Sequence, residues 1–122
     1  MTGTDKKELT VKIAIPLAAG RLSMHFGHCD EFAFFDVDTD AKTILEKKCL
    51  TPPPHEPGVL PAWLHENEAE LIICGGMGMR AQQLFTTAGV KVVVGASAET
   101  PEKLVEAYLD GSLETGDNAC AH

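Results

Sequence analysis

The chain has 122 residues, 44% hydrophobic and 23% charged, with a formal charge of -8 at neutral pH. That length suits one domain able to bury a two- or three-layer core, and the composition excludes a wholly disordered chain. Its ten lysines and arginines form no run, so the acidic chain is poorly suited to a nucleic-acid backbone.

No apolar run approaches the roughly 20 residues a membrane helix needs. Residues 1–8, "MTGTDKKE", lack the apolar core of a signal peptide, so a cytoplasmic location is expected. Cys29, Cys49, Cys74 and Cys120 form no CxxC pair, which points to free thiols rather than a zinc ribbon or a disulfide framework.

After this polar extension, "LTVKIAI" alternates Leu9, Val11, Ile13 and Ile15 on one side and predicts a strand ending at Pro16. Pro16 to Asp30 carries Gly20 and Gly27 without periodicity, a connection long enough to be functional. "EFAFFDVD" and "TILEKKCL" predict two strands of a hairpin joined by "DTDAK", whereas "TPPPHEPG" excludes regular structure.

Leu60, Trp63 and Leu64 then have helical spacing, with Pro61 confined to the first turn. "ELIICGG" predicts a strand covered on both faces. Ala81, Leu84, Phe85 and Ala88 form a helical stripe stopped by Gly89, and "VKVVVG" predicts another buried strand. A last helix opens with Thr100 as N-cap and Pro101 at its first position, buries Leu104, Val105, Tyr108 and Leu109, and ends at Gly111.

The order β, β, β, α, β, α, β, α predicts an α/β domain over residues 9–111, a mixed five-stranded sheet flanked by helices, followed by a polar, mobile tail over 112–122.

If the first strand and "ELIICGG" are parallel neighbours, their following loops share one carboxyl rim, where open α/β sheets bind ligands. His25, His28, Cys29, Cys74, Met77 and Met79 would then surround one crevice, a soft nitrogen and sulfur set suited to iron-sulfur clusters, Cu(I) or zinc. His25 and His28 can equally be solvated loop histidines, but with Cys29 beside them in a glycine-bearing loop a ligand role is favoured. Cys74 fits better as a buried hydrophobe, Cys49 as a structural strand residue, and Met77 and Met79 either line the crevice or pack on the sheet.

"CGGMGMRA" satisfies GxGxxA through Gly76, Gly78 and Ala81. That pattern lets backbone amides cradle a phosphate, although no acidic ribose ligand follows and no Walker lysine is present. The same glycines permit an anionic metal cluster to approach a helix N-terminus, or serve tight strand-to-helix packing. "GDNACAH" places Cys120 and His122 two apart; they either fray or close over a metal. No catalytic constellation is present, and a non-enzymatic role is expected.

Taken together, "VKIAIP", "HFGHCDEFAFFDVD", "PPPHEPGVLPAWL", "IICGGMGMRAQQLF", "GVKVVVGA" and the closing "CAH" resemble the dinitrogenase iron-molybdenum cofactor biosynthesis family over nearly the whole chain. The resemblance implies an RNase H-like fold that binds iron-sulfur or molybdenum-containing clusters as carrier or scaffold. It extends to the orange protein branch, which holds a mixed molybdenum-copper sulfide cluster. It implies cluster association for His25, His28 and Cys29, for Gly75, Gly76, Met77 and Gly78 of the second loop, and for Cys120 and His122.

The chain lacks the CxxxCxxC radical-SAM motif, so the cluster-building activity of multidomain relatives is not implied, and without an appended partner-docking domain a direct role in nitrogen fixation is not implied either. The expected function is therefore cluster carriage in metallocluster assembly or transfer, with cluster-donor or acceptor proteins as partners. Two other functions compete: a nucleotide- or phosphate-binding module using "GGMGMRA", and a regulatory interaction domain without specific metal.

Overall fold

The structure, a computed structural model, describes residues 10–23, 29–53 and 59–116. In chain order, β1 (Thr10–Ala18), β2 (Arg21–Leu22), β3 (Glu31–Asp38) and β4 (Thr43–Leu50) precede α1 (Val59–Glu66), β5 (Leu71–Ile73), α2 (Met79–Thr87), β6 (Lys91–Val93) and α3 (Pro101–Asp110). The sheet order is β4-β3-β1-β5-β6, with the short β2 paired to β1 as a sixth strand. β3 is antiparallel to β1 and β4, whereas β5 pairs in parallel with both β1 and β6. This is the expected mixed sheet flanked by helices. With β2 set aside, it has the RNase H-like order in which the second long strand alone runs against the rest.

Strand periodicity divides the core into two faces, because successive side chains point to opposite sides of the sheet. Ile13, Ile15 and Leu17 join Phe35, Val37, Leu71 and Ile73 on one face, covered by Leu104 and Val105 of α3. Ala14, Phe32, Phe34 and Ile72 form the other, covered by Leu60 and Leu64 of α1 and Phe85 of α2. Trp63 packs edge-on against Phe32 and Phe34, with centroids 5.5 and 5.7 Å away. α3 begins over β4, where Lys47 bonds Glu102, and near its end Tyr108 lines a groove with Lys91, Val92 and Val93 of β6. It therefore crosses the sheet obliquely.

Most predicted elements form where the pattern placed them, but several expectations are corrected. β1 does not stop at Pro16; it continues to Ala18. Pro16 is tolerated because its backbone faces β2, where its carbonyl accepts from Ser23 N–H at 2.9 Å, and the parallel pairing with β5 spans only Ile13 and Ala14. The connection read as lacking periodic structure contains a tight hairpin: Leu17 pairs with Leu22 and Ala18 with Arg21 across Ala19 and Gly20, both at positive φ (55° and 83°). That is the geometry of a two-residue turn whose twist matches its strands.

β6 is half-buried rather than fully covered, because it is an edge strand. In α2, Phe85 is buried but Leu84 is 42% exposed and Ala88 exposed, so the inward stripe is narrower than predicted. Thr100 occupies the N-cap of α3 without a side-chain capping bond; Pro101 and the left-handed Gly111 bound that helix as expected. Cys49 is in β4 with an exposed thiol. The turn between β3 and β4 is held by Asp38 Oδ1, which accepts from the N–H groups of Asp40 and Ala41 at 2.9 and 3.0 Å. A bulge follows in β4 between the Glu46 and Ile44 pairings and leaves Leu45 half exposed.

Candidate functional site

Ile13 is in register with Leu71 and Ala14 with Ile72, so β1 and β5 are parallel neighbours whose carboxyl ends share one rim. β3 begins at that rim, since Glu31 pairs with Leu17. β6 ends there too, with Val93 in register with Ile73. Four chain segments consequently meet: the β1–β2 hairpin, Cys29 and Asp30 ahead of β3, the glycine loop after β5, and the connection after β6. Backbone bonds tie them together. Leu22 N–H donates to Glu99 C=O at 3.0 Å, Asp30 N–H to Leu17 C=O at 2.7 Å, and Gly95 N–H to Gly75 C=O at 2.9 Å.

Cys29 packs against the cluster containing Phe32, Cys74 and Met77, on the face covered by α1 and α2. Burial pushes its thiol up to about 11, the Asp30 carboxylate adds to the rise, and a backbone hydrogen bond opposes it. The thiol is therefore protonated at neutral pH, and an incoming metal would have to displace that proton to gain a thiolate ligand. Ala19 N–H donates to Asp30 Oδ2 at 3.0 Å, fixing the residue next to Cys29 against the hairpin turn.

His25 and His28, in residues 24–28, and Cys120 and His122, in residues 117–122, lie outside the described residues. Among the described residues, no group of three or more His, Cys, Asp or Glu side chains forms an ion site.

The glycine loop divides sharply. Cys74, Gly75, Gly76 and Met77 are buried, Cys74 and Met77 completely, whereas Gly78 is exposed and Met79 is 66% exposed. Met77 packs in the core, and its carbonyl accepts from Gln82 Nε2 at 2.8 Å, which pins the loop to α2. Gly78 is the N-cap of α2, with φ -65° and ψ 158°, a conformation open to any residue. A Cβ built there would meet nothing within 4 Å. Neither backbone strain nor close packing demands glycine at this position, so its effect is to leave room before the first amides of α2.

Both arginines of the chain stand at this rim, Arg21 on β2 and Arg80 in the first turn of α2, and both are exposed. Asp30, Glu31 and Glu99 belong to the same rim segments, so on a chain of charge -8 the two arginines offset acidic charge there. Nothing in the sequence singled out either arginine, since the β1–β2 hairpin was not legible and a lone arginine after a glycine loop carries no signal of its own. Asp30 and Gly95 were likewise missed; only the glycine after a strand offered any signal.

An α/β protein of RNase H-like topology, with donor and glycine segments converging at the carboxyl rim, is the class these features define. The chain belongs to the dinitrogenase iron-molybdenum cofactor family, whose sequence profile matches residues 10–111. The Methanocaldococcus jannaschii protein MJ0580 is 30% identical over 108 residues, covering 85% of this chain and 90% of that protein.

The crystal structure of PH0822 superposes with a TM-score of 0.79 at 26% identity, covering 86% of this chain and 94% of that one. The apo form of the orange protein from Desulfovibrio gigas superposes with a TM-score of 0.70 at 21% identity, covering 88% and 93% of the two chains, a likeness of fold. Membership places the chain among metallocluster-related proteins. None of its described helices is long and apolar enough to cross a membrane.

Proposed function

We propose that this protein carries a preassembled anionic metal-sulfur cluster, iron-sulfur or molybdenum-containing, at the rim and passes it between donor and acceptor proteins. The cluster is cargo, and no catalytic step is required of the chain. The parallel pairing of β1 with β5 carries this reading, because it sets the segment ending in Cys29 beside the glycine loop that opens α2. Cys29, with His25 and His28 ahead of it, supplies thiolate and imidazole. Gly75 and Gly76 lie buried under the rim, and the open approach at Gly78 admits a bulky anion toward backbone donors. Arg21 and Arg80 offset part of the repulsion an anion would meet from Asp30, Glu31 and Glu99. An incomplete set of strong ligands suits a carrier, which must release what it holds.

Anaerobic purification followed by elemental analysis for Fe, Mo, Cu and Zn and a visible spectrum tests the proposal. Cys29→Ala and His25→Ala are expected to lose most of the bound metal while keeping the parent's circular dichroism. Gly78→Val, for which the structure has space, should do the same. Unchanged metal content and absorption in all three would reject the reading. ATP or NAD binding that disappears in Gly78→Val would favour the phosphate-binding alternative instead.

A further inference from the structure

The two outer strands close the sheet differently. β4 carries Glu46, Lys47 and Lys48 and a bulge, devices that discourage pairing with another chain. β6 has Val92 and Val93, continued by Val94, and Lys91 as its one charge. Its backbone is turned in a fixed alternation. Lys91 N–H donates to Glu70 C=O at 3.1 Å and Val93 C=O accepts from Cys74 N–H at 2.9 Å, both on the β5 side. In a trans peptide the C=O and N–H of one unit point opposite ways, so Val90 C=O and Val94 N–H face away from β5. Val92 N–H and C=O face away as well, because alternate residues of a parallel strand bond to one side. None of these four groups has a hydrogen-bond partner among the described residues.

Gln82 and Thr86 of α2 and Tyr108 of α3 line the groove along this edge, together with Lys91, Val92 and Val93. No acidic side chain lines it among the described residues, although the chain's formal charge is -8. An acidic protein meets its own copy with least repulsion across such a face, and a tyrosine among uncharged neighbours is the composition of an interface centre. The groove at the amino end of β5 is the opposite case, lined by Glu66, Glu68 and Glu70.

We infer that β6 pairs antiparallel with β6 of a second copy of this chain, about a two-fold axis at Val92, joining the two sheets into one. Val92 N–H then donates to Val92 C=O of the second copy and Val94 N–H to its Val90 C=O. Symmetry returns both bonds, so all four outward groups of each chain are satisfied. The helices permit this approach. α2 joins β5 to β6 and packs against β6, with Phe85 in the cluster that includes Ile72 and Val92, so its axis lies over the gap between the two strands. With strands about 4.8 Å apart, the two α2 axes come to about 10 Å, the spacing at which helices pack. Gln82 and Thr86 lie on the sides that meet. Each Lys91 stands opposite Val93 of the other copy, so the two ammonium groups are offset along the pair. Because the paired strands run oppositely, the two carboxyl rims face opposite ways and both stay open. The pairing does not depend on what the rim carries.

Sedimentation of the full chain in reducing buffer, from micromolar to millimolar concentration, should show a mass rising from 13.1 kDa to twice that value. Val92→Pro removes the central N–H at an edge position where proline is tolerated within the monomer. Thr86→Arg sets two like charges face to face between the α2 helices. Each variant should weaken dimerisation about tenfold or more while keeping the circular dichroism of the parent. Leu45→Lys, on the other edge strand, should leave dimerisation unchanged.

Amide hydrogen exchange reads the register. Val92 and Val94 N–H should gain protection as concentration rises, whereas Lys91 N–H, already bonded to Glu70, should not. A single species of 13.1 kDa at every concentration would overturn the inference and leave the edge to another protein's strand or to solvent. A dimer that survives both Val92→Pro and Thr86→Arg, or one lost in Leu45→Lys, would place the contact elsewhere and overturn it equally. Should Val92→Pro fail to fold, Thr86→Arg and the exchange pattern still decide.

Discussion

The backbone N–H of Ala19 donates to Asp30 Oδ2 at 3.0 Å, joining the turn that closes β1 to the residue beside Cys29. This tie makes the hairpin part of the site's framework. Asp30→Ala is expected to cost about 0.5–1.5 kcal/mol, the usual range for one hydrogen bond, and Asp30→Asn much less because an acceptor remains. Urea unfolding followed through the fluorescence of Trp63, the chain's one tryptophan, measures both. Equal midpoints for the parent and Asp30→Ala would show that the tie contributes nothing.

Ala19 sits at φ 55°, a conformation that costs an L-residue about 1–2 kcal/mol. Glycine relieves this strain but gives back part of the gain through the entropy of the unfolded chain, so Ala19→Gly should stabilise by about 0.5–1 kcal/mol. Gly20→Ala should destabilise by about 1 kcal/mol. Its φ is 83° and nothing lies within 4 Å of the added Cβ, so the loss would be conformational and not a clash. Thermal or urea midpoints moving in the same direction for both variants would contradict this account.

The Cys29 thiol, pushed from 9.0 to about 11 by burial, binds its proton more tightly in the folded chain than in the unfolded one. The favourable contribution is fully present below pH 9.0 and is lost as pH rises toward about 11, since there the unfolded state holds fewer protons. Comparing the pH dependence of unfolding in the parent and Cys29→Ser isolates this step from the other titrating groups. Alkylation of Cys29 by iodoacetamide, mapped by mass spectrometry, should accelerate through the same interval. A plateau already reached at neutral pH would refute the assignment.

Lys47 bonds Glu102 and lies 5.8 Å from the centroid of the Phe35 ring, connecting β4 to α3. The mutual hydrogen bond lowers the Glu102 carboxyl below 4.5 and raises the Lys47 ammonium above 10.5. The pair's contribution is thus lost as pH falls through the lowered Glu102 value or rises past the raised Lys47 one. Both side chains are well exposed, 39% and 44%, so screening keeps the coupling small, about 0.2–1 kcal/mol. A double-mutant cycle with Lys47→Met and Glu102→Gln should return that coupling and show it shrinking in high salt.

Much of the architecture was legible because it depends on local alternation. The boundaries of β3 and β4 follow from "EFAFFDVD" and "TILEKKCL", and the odd-numbered residues Val11, Ile13 and Ile15 do share the α3 face. Pro16 misled because the cost of a missing N–H depends on which strand stands opposite, and there β5 offers no pairing. Ala19 hid the hairpin turn, since alanine at positive φ is rare. "VKVVVG" looked buried because apolar content does not distinguish a central strand from an edge strand that two helices partly cover.

The candidate site was legible as a set of donors and glycines, but not in its internal division. Gly75, Gly76 and Gly78 are alike in sequence; two are buried under the rim and the third faces open space. Cys29 carries no mark of its raised protonation, which comes from Phe32, Met77 and their neighbours packing around it.

By itself the sequence determined the class of fold, the succession of elements and the presence of soft-metal donors, because periodicity, turn chemistry and residue type act over a few neighbouring positions. Only the tertiary structure decided that the ends of β1 and β5 share a rim, that Gly78 stands open while Met77 is core, and that Val92 and Val94 turn their N–H groups away from β5. Those relationships arise from strand order and backbone contact between residues far apart in the chain, where no local pattern can express which groups end up within bonding distance.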